Sequence, residues 1–512
     1  MTDGAIPTHK TFCAPEARKW ILAAAILVSA LGFIDGTVLS IATPAIRENL
    51  NASLVQALWF NNAYMLPVSA LILVSGAAGD KFGTAKITLY GLSLFLVSSI
   101  GLALAPSAEA FIALRAIKGV GAAMMIPGSL ALISRAYPPG ERGAAIGVWA
   151  AASSATTAFG PILGGLILGM DWEHAWRLIF AINLPLGAIA LWLLISRVGT
   201  DTTRSENPLD WLGAFLATLA MESGAFALSL MGQSGANILP FFVVSGFSTI
   251  AFLWWEARAP YPMVPLFLFR SRAFAAANLM TFFLFFALSA VVFYLPMTVI
   301  SVWGVSEFQA AAAFAPLPIF VALMSTWVGR TADKIGPAPL ITAGSIAVAV
   351  AFLAQTLTVD LRNYWGIMVP LNALFGFGMA LVVGPLSTSV MGAVGDERAG
   401  AASGINNATS RFSGLFAVAA MGGLATLIYS ANGGPTSFGE IGGNEAHRAA
   451  TDAGFKAILG ISAGLAALSA VISWWGLRPE KSPVEFDEPL PGPTPQVPDA
   501  VPGTPPPPQT WR

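Results

Sequence analysis

Along most of the 512-residue chain, long apolar blocks alternate with short polar punctuation. Each block is close to the ~20 residues that cross a hydrocarbon core as a helix. Fourteen such blocks centre near residues 32, 67, 96, 121, 156, 186, 220, 247, 287, 320, 348, 378, 414 and 465. Strand-built barrels show ~10-residue segments of alternating polarity instead. The pattern therefore predicts an all-α membrane protein with fourteen transmembrane helices. An even number of spans puts both termini on one side, and Lys and Arg choose that side. Eighteen fall on the side of the termini and five on the other (Arg47, Arg177, Arg362, Arg448 and Lys456), while Arg115, Lys118 and Arg411 lie within spans. The expectation is a multi-pass protein of the cell membrane with both termini cytoplasmic. The first apolar block is too long for a cleavable signal peptide and targets the chain by itself.

An internal repeat is visible. GAAGDKFGTAK at 76–86 recurs as GRTADKIGPAP at 329–339, an offset of 253. GERGAAIG at 140–147 is echoed by DERAGAASG at 396–404 at nearly the same offset. Six spans with short loops fill roughly 200 residues. The excess fits two additional helices, around 220 and 247. The organisation expected is a cytoplasmic segment at 1–18, a six-helix bundle at 19–198, two inserted helices with linkers at 199–272, a second six-helix bundle at 273–478 and a tail at 479–512.

Composition narrows the function classes. Only 10% of residues are charged and mean hydropathy is +0.70, against about 25% charged residues in a soluble protein. The net charge of −1 points to no nucleic acid. The single Cys13 excludes an intramolecular disulfide. His9, His174 and His447 are scattered in polar segments, so no metal site is expected. No GxxxxGK[ST] is present, and no ATP-driven cycle or ATPase partner is implied. GVGAAM at 119–124 lies in a span and is no dinucleotide fingerprint. No Ser-His-Asp or Cys-His grouping suggests an enzyme. The tail carries twelve of the 35 prolines and should be extended and disordered; proline-motif docking stays open beside an inert tail.

The chemistry that remains is charge inside the membrane. In GFIDGTVLSIATPAI, Asp35 sits about halfway along the first span, where an acid costs roughly 2.5–3.5 kcal/mol on insertion scales. Arg115 and Lys118, three apart, share one face of span four. Arg411 lies on span thirteen near Asn406 and Asn407, and Glu222 on an inserted span. Ionisable groups at this depth face a bundle interior or an aqueous cavity and pair there. Such residues, with Tyr64, Trp59, Asn61, Asn62, Asn278 and Tyr294, are candidates to line a central cavity; Trp and Tyr at span ends read equally as interfacial anchors, and Glu222 as a paired or lipid-edge residue. An Asp35 whose surroundings alternate between apolar and Arg115-facing would gain and lose a proton; a static polar contact is the other reading. At the ends of spans two and ten, Gly76 and Gly83 flank Asp80 and Lys81, and Asp333, Lys334 and Gly336 form the second copy. A carboxylate there can meet a helix N-terminus in one conformation and leave it in another, as a latch. Prolines replace the later Lys86 in the second copy, so its latch should be weaker. A short basic loop that merely fixes topology accounts for both.

Five motifs in order resemble the major facilitator superfamily, and within it the fourteen-span drug:proton antiporter branch, over roughly residues 18–478. FIDGTVLSIATP with Asp35 resembles the span-one signature. Gly76, Asp80, Lys81, Gly83 and Lys86 resemble the loop signature between spans two and three. Arg115, Gly119, Gly121 and Ala122 resemble the span-four signature, and Gly160, Pro161, Gly164 and Gly165 the span-five antiport signature. WRLIFAINLPLG at 176–187 resembles the start of span six. The resemblance implies the major facilitator fold, two six-helix bundles plus two inserted helices, with Asp35 carrying protons and Arg115 supporting it. Two positions depart from the pattern. Thr156 stands where Gly is usual, and Lys118 where Gln is usual. The second cation should shift preference away from permanent cations, or make Lys118 a partner for Asp35 or for an anionic substrate.

The expected function is a secondary active transporter, monomeric, that needs no cofactor beyond a proton gradient and exports drugs or other amphipathic small molecules by alternating access. A proton symporter importing a metabolite is the alternative, and a non-transporting membrane receptor or scaffold a remote one.

Overall fold

In hydrocarbon a backbone satisfies its own polar groups only as helix or closed barrel, and the apolar blocks form helices. The computed structural model describes residues 15–170, 172–198, 208–231, 235–394 and 399–478. Cys13, His9 and the proline-rich segment lie outside the described residues, as do the side chains of Asp80 and Asp333. The helices are α1 (Arg18–Asn49), α2 (Leu54–Phe82), α3 (Thr84–Ala103), α4 (Ala108–Ala136), α5 (Pro139–Leu168), α6 (Trp176–Ala181), α7 (Asn183–Arg197) and α8 (Trp211–Ser229). They continue with α9 (Leu239–Glu256), α10 (Arg272–Trp303), α11 (Glu307–Ala312), α12 (Pro316–Ile335), α13 (Pro337–Thr358), α14 (Val369–Gly392), α15 (Ala399–Ala431) and α16 (Glu445–Gly476). Among the described residues, 12 helices are long and apolar enough to cross a membrane, counting α6 with α7 as one. Helices α2 and α5, of 29 and 30 residues, occupy the blocks expected around residues 67 and 156.

The repeat in sequence is a repeat in local structure. Ser53 opens α2 with a capping box, its Oγ accepting from Gln56 N at 3.2 Å while Gln56 Oε1 accepts from Ser53 N at 2.8 Å. Ser306 and Gln309 open α11 with the same pair of bonds, 3.3 and 3.2 Å. Each box satisfies two of the orphan N–H groups of a helix start. The offset is again 253. At the other end, Gly83 closes α2 at φ 102° and Gly336 closes α12 at φ 82°. Each donates its N–H four residues back, to Gly79 O at 3.0 Å and Ala332 O at 2.9 Å. A positive φ is open to glycine at little cost and strains other residues.

Helices α1 to α7 pack chiefly on one another, through α3 and α2 on α4 and α1 on α5 and α7. Helices α10 to α16 do the same, through α10 and α13 on α16 and α12 and α13 on α14. The two sets meet where α2 packs on α15, α1 on α10 and α5 on α11. The inserted pair α8 and α9 pack together, and among the described residues α8 makes the main contacts with both sets, against α2 and α15. Its Met221 and Ala225 share an apolar cluster with Leu66 and Ala70 of α2 and Leu415 and Ala419 of α15. On the α15 side the fit is close, since a Cβ at Gly423 would lie 2.5 Å from Leu228 O and 2.6 Å from Met231 Cβ. On the α2 side, Trp59 Nε1 donates to Ser229 Oγ at 3.3 Å.

Candidate functional site

Asp35 is buried, 1% exposed, halfway along α1. Helix α4 turns Arg115 and Lys118 toward it, both fully buried. Arg115 Nη1 reaches Asp35 Oδ2 at 2.5 Å, and Lys118 Nζ donates to Asp35 Oδ1. Three residues apart on a helix is the spacing that puts both cations on one face. One carboxylate thus holds two cations in a site closed to solvent. Removing one member of such a buried set leaves an uncompensated charge.

The surrounding helices orient these groups. Arg115 Nε donates to the Phe60 carbonyl of α2 at 2.8 Å, and its guanidinium lies 4.3 Å from the Tyr64 ring centroid. Tyr64 is buried, its hydroxyl 3.4 Å from Gly32 O on α1. The Lys118 ammonium faces two aromatic rings, Phe95 of α3 at 4.3 Å and Phe180 of α6 at 5.0 Å. A ring face is the apolar surface that best tolerates a cation. Phe180 is held in turn by edge-on contact with Phe111. Arg115 Nη2 is buried and has no hydrogen-bond partner among the described residues.

The span-five glycines bring α5 against this region. A Cβ at Gly160 would meet Thr37 Oγ1 and lie 3.2 Å from Ile34 O, and one at Gly164 would lie 2.7 Å from Val38 Cγ2, all on α1 beside Asp35. Gly165 faces the other set of helices, where a Cβ would lie 2.7 Å from Phe308 Cα and 3.0 Å from Glu307 O of α11. Pro161 is buried between them. Small residues admit such backbone approach.

Other candidates stand apart from Asp35. Asn406 Nδ2 donates to Thr281 Oγ1 at 2.9 Å and Asn278 Oδ1 at 3.3 Å, tying α15 to α10. Asn407 is exposed. Arg411 of α15 lies 5.8 Å from the ring of Phe33, two residues before Asp35 on α1. Tyr294 is fully buried and donates to Val418 O at 2.5 Å, a packing contact of α10 on α15. Glu222 is exposed, on the α8 face that it shares with the exposed Trp211 and Phe215. Lys86 and Lys334 are exposed and Lys81 half-buried at the opposite end from Arg47. There a side chain added at Gly76 or Gly329 would meet nothing within 4 Å.

In sequence Arg47 reads only as a cation of the outer-side loops. It is 8% exposed. Its Nη1 donates to Phe438 O at 2.8 Å and its Nη2 to Ser437 Oγ at 2.9 Å, in the segment joining α15 to α16. Arg47 also borders a cavity of about 670 Å³ lined by Glu48, Gln56, Thr426 and Glu440. The aromatic faces of Phe95 and Phe180 also went unsuspected, since in sequence they are ordinary core residues.

The sequence profile described as Major Facilitator Superfamily matches residues 25–419. An uncharacterised MFS-type transporter of Mycobacterium tuberculosis is 32% identical over 401 residues, 77% of this chain and 68% of that protein. The tetracenomycin C resistance and export protein of Streptomyces glaucescens is 28% identical over 414 residues, 80% of this chain and 76% of that protein. In fold, the chain is similar to a bacterial homologue of the human lysosomal transporter Spinster in its inward-facing, occupied conformation. The TM-score is 0.66 at 16% identity, covering 90% of this chain and 97% of that one.

Proposed function

Given that the chain belongs to the major facilitator superfamily, we propose that it exports amphipathic small molecules, drugs among them, in exchange for protons across the cell membrane. The observation that carries this reading is the buried carboxylate of Asp35 gripped by Arg115 and Lys118. A charge set placed so deep is expensive and marks an ion path in membrane proteins. The relative named for tetracenomycin C resistance and export supports the direction and the cargo class.

With both termini in the cytoplasm, as the Lys and Arg distribution favours, the end held together by Arg47 and by Gly165 against Phe308 is the outer one. The open space beside Gly76 and Gly329 then lies at the inner end, which supports an inward-open reading of this conformation. Cargo enters from the cytoplasm into the space between the two helix sets. Rocking of the sets breaks the Arg47 contacts, closes the Lys81 end and exposes cargo outward. Proton binding on the outer side and release on the inner side bias the return. The chain works as a monomer, since each copy carries both sets.

The test is a panel of amphipathic antibacterials and dyes in cells stripped of their own exporters, comparing wild type with Asp35→Asn. Resistance that depends on Asp35 supports the reading. Everted vesicles with an acidified lumen then separate the directions: an antiporter loads cargo into the lumen as protons leave, and a symporter empties it. Unchanged drug tolerance throughout the panel would remove the proposal.

A further inference from the structure

We propose that the exchangeable proton of this transporter resides on Lys118, with Asp35 as its fixed counter-ion, an inference that rests on the proton-coupled reading above. Proton coupling in such a site is ordinarily sought on the acid. Here the charge count favours the amine.

Asp35 carries two cations, and the site holds a net positive charge in the buried interior of a helix bundle. Adding a proton to Asp35 would leave Arg115 and Lys118 side by side with no anion between them. Removing one from Lys118 instead leaves the Arg115–Asp35 pair, which is neutral as a unit. In a medium of low polarity the state with the smaller net charge is reached more easily. Arg115 cannot serve as the donor, because a guanidinium stays protonated in proteins. A lysine ammonium releases its proton readily when buried.

The remaining neighbours favour the same choice. From α1 only Asp35 faces the ammonium. Helices α3 and α6 turn Phe95 and Phe180 to it, and ring faces accommodate an amine after the charge has gone. From α2, Tyr64 stands over Arg115 rather than Lys118. Helix α5 carries its ionisable groups, Glu141 and Arg142, only in its first turn. Arg411 of α15, beside Phe33, adds a third positive charge on the far side of α1. The ion pair keeps the amine charged while Asp35 is in contact. When a shift of α1 against α4 within their own set parts Lys118 from Asp35 and admits inner water, the N–H bond breaks, the electron pair stays on Nζ and the proton passes to that water. Reprotonation from outer water restores the pair. The two partners titrate as one unit, with the movable proton on nitrogen.

The experiment needs no cargo. The chain has eight lysines, few enough to resolve one by one by NMR of protein labelled with carbon-13 at lysine Cε, in detergent micelles. The signal missing from Lys118→Arg, or from Lys118→Gln if the arginine variant does not fold, is assigned to Lys118. It should move to the neutral-amine position at a pH below that at which the seven others move. A Lys118 signal that keeps its charged position until the others move overturns the inference. In everted vesicles, with ethidium as the probe, Lys118→Arg should lose pH-gradient-driven uptake down to the gradient-free control while retaining exchange of internal for external ethidium. Gradient-driven uptake preserved in Lys118→Arg also overturns it. Wild type that moves no compound of the panel instead removes the export reading, and the lysine titration still decides this one.

Discussion

Arg47 of α1 and Phe438, 391 positions later in the chain, are joined by a 2.8 Å hydrogen bond from guanidinium to carbonyl. The bond, with its companion to Ser437, crosses from one helix set to the other at the end that is closed.

Hydrogen bonds to a charged group contribute about 1.5–3 kcal/mol each, and in the proposed cycle these two hold only while this end, the outer one, is shut. Arg47→Ala should therefore shift the conformational equilibrium toward outward opening. A cysteine introduced at Thr426, at the rim of the cavity beside Arg47, should react faster with a membrane-impermeant thiol reagent in the Arg47→Ala background. An unchanged reaction rate would count against Arg47 as a latch.

Neutralising the acid should destabilise before it affects coupling. Asp35→Asn leaves Arg115 and Lys118 buried without a counter-ion, a change that costs about 3–5 kcal/mol when one partner of a buried set is lost. Adding Lys118→Gln restores the original net charge of the site. Thermal unfolding in detergent should drop for Asp35→Asn and recover in large part in the double variant, a non-additivity expected for residues in contact. Additive losses would argue that the two side chains do not interact.

The glycines of the span-five motif differ in their neighbours, and so should their variants. Gly165→Leu drives a side chain into the backbone of Phe308 and Glu307, atoms that cannot swing aside, so α5 and α11 must part and transport should fall strongly. Gly76→Ala belongs to an equally recognisable motif, yet nothing lies within 4 Å of the added carbon. Its effect on stability should stay near zero or gain about 0.4–1 kcal/mol through a less flexible unfolded chain. Matched transport assays and melting curves compare the two.

Gly83→Ala and Gly336→Ala form a symmetric pair. Both place alanine at a positive φ, 102° and 82°, with ψ of 121° and 163°, and a backbone region almost confined to glycine costs another residue roughly 1–3 kcal/mol. Each variant should lower the melting temperature by a similar amount. A large loss at one position and none at the other would mean that the two turns, alike in geometry, are not alike in the load they carry.

Much of the fold was legible because membrane insertion imposes a simple rule on the sequence: an apolar run of fixed length becomes a helix. The repeat was legible because a turn at positive φ admits little but glycine, so Gly83 and Gly336 stayed in register with the Asp-Lys pair before them. Asp35 stood out by its expense. What the sequence did not reveal was direction. Helix α8 is apolar nearly all round, so no stripe tells which face its neighbours cover, and Glu222, a candidate for the cavity or for the lipid edge, shares an exposed face with Trp211 and Phe215. Tyr294, a candidate cavity residue, is spent on Val418 O. Arg47 was hidden for a different reason: its partners are a backbone carbonyl and a serine in a glycine-rich segment, and a carbonyl carries no sequence signature.

The close seat of Gly423 against the Leu228 carbonyl has a mechanical meaning for the inserted hairpin. A rod pressed into the surface of one moving body travels with that body, and the slip must occur along its other flank. Helix α8 should therefore ride with α15 as the sets rock, leaving the seam with α2, where Met221 and Ala225 meet Leu66 and Ala70 and Trp59 reaches Ser229, as the sliding joint of the machine.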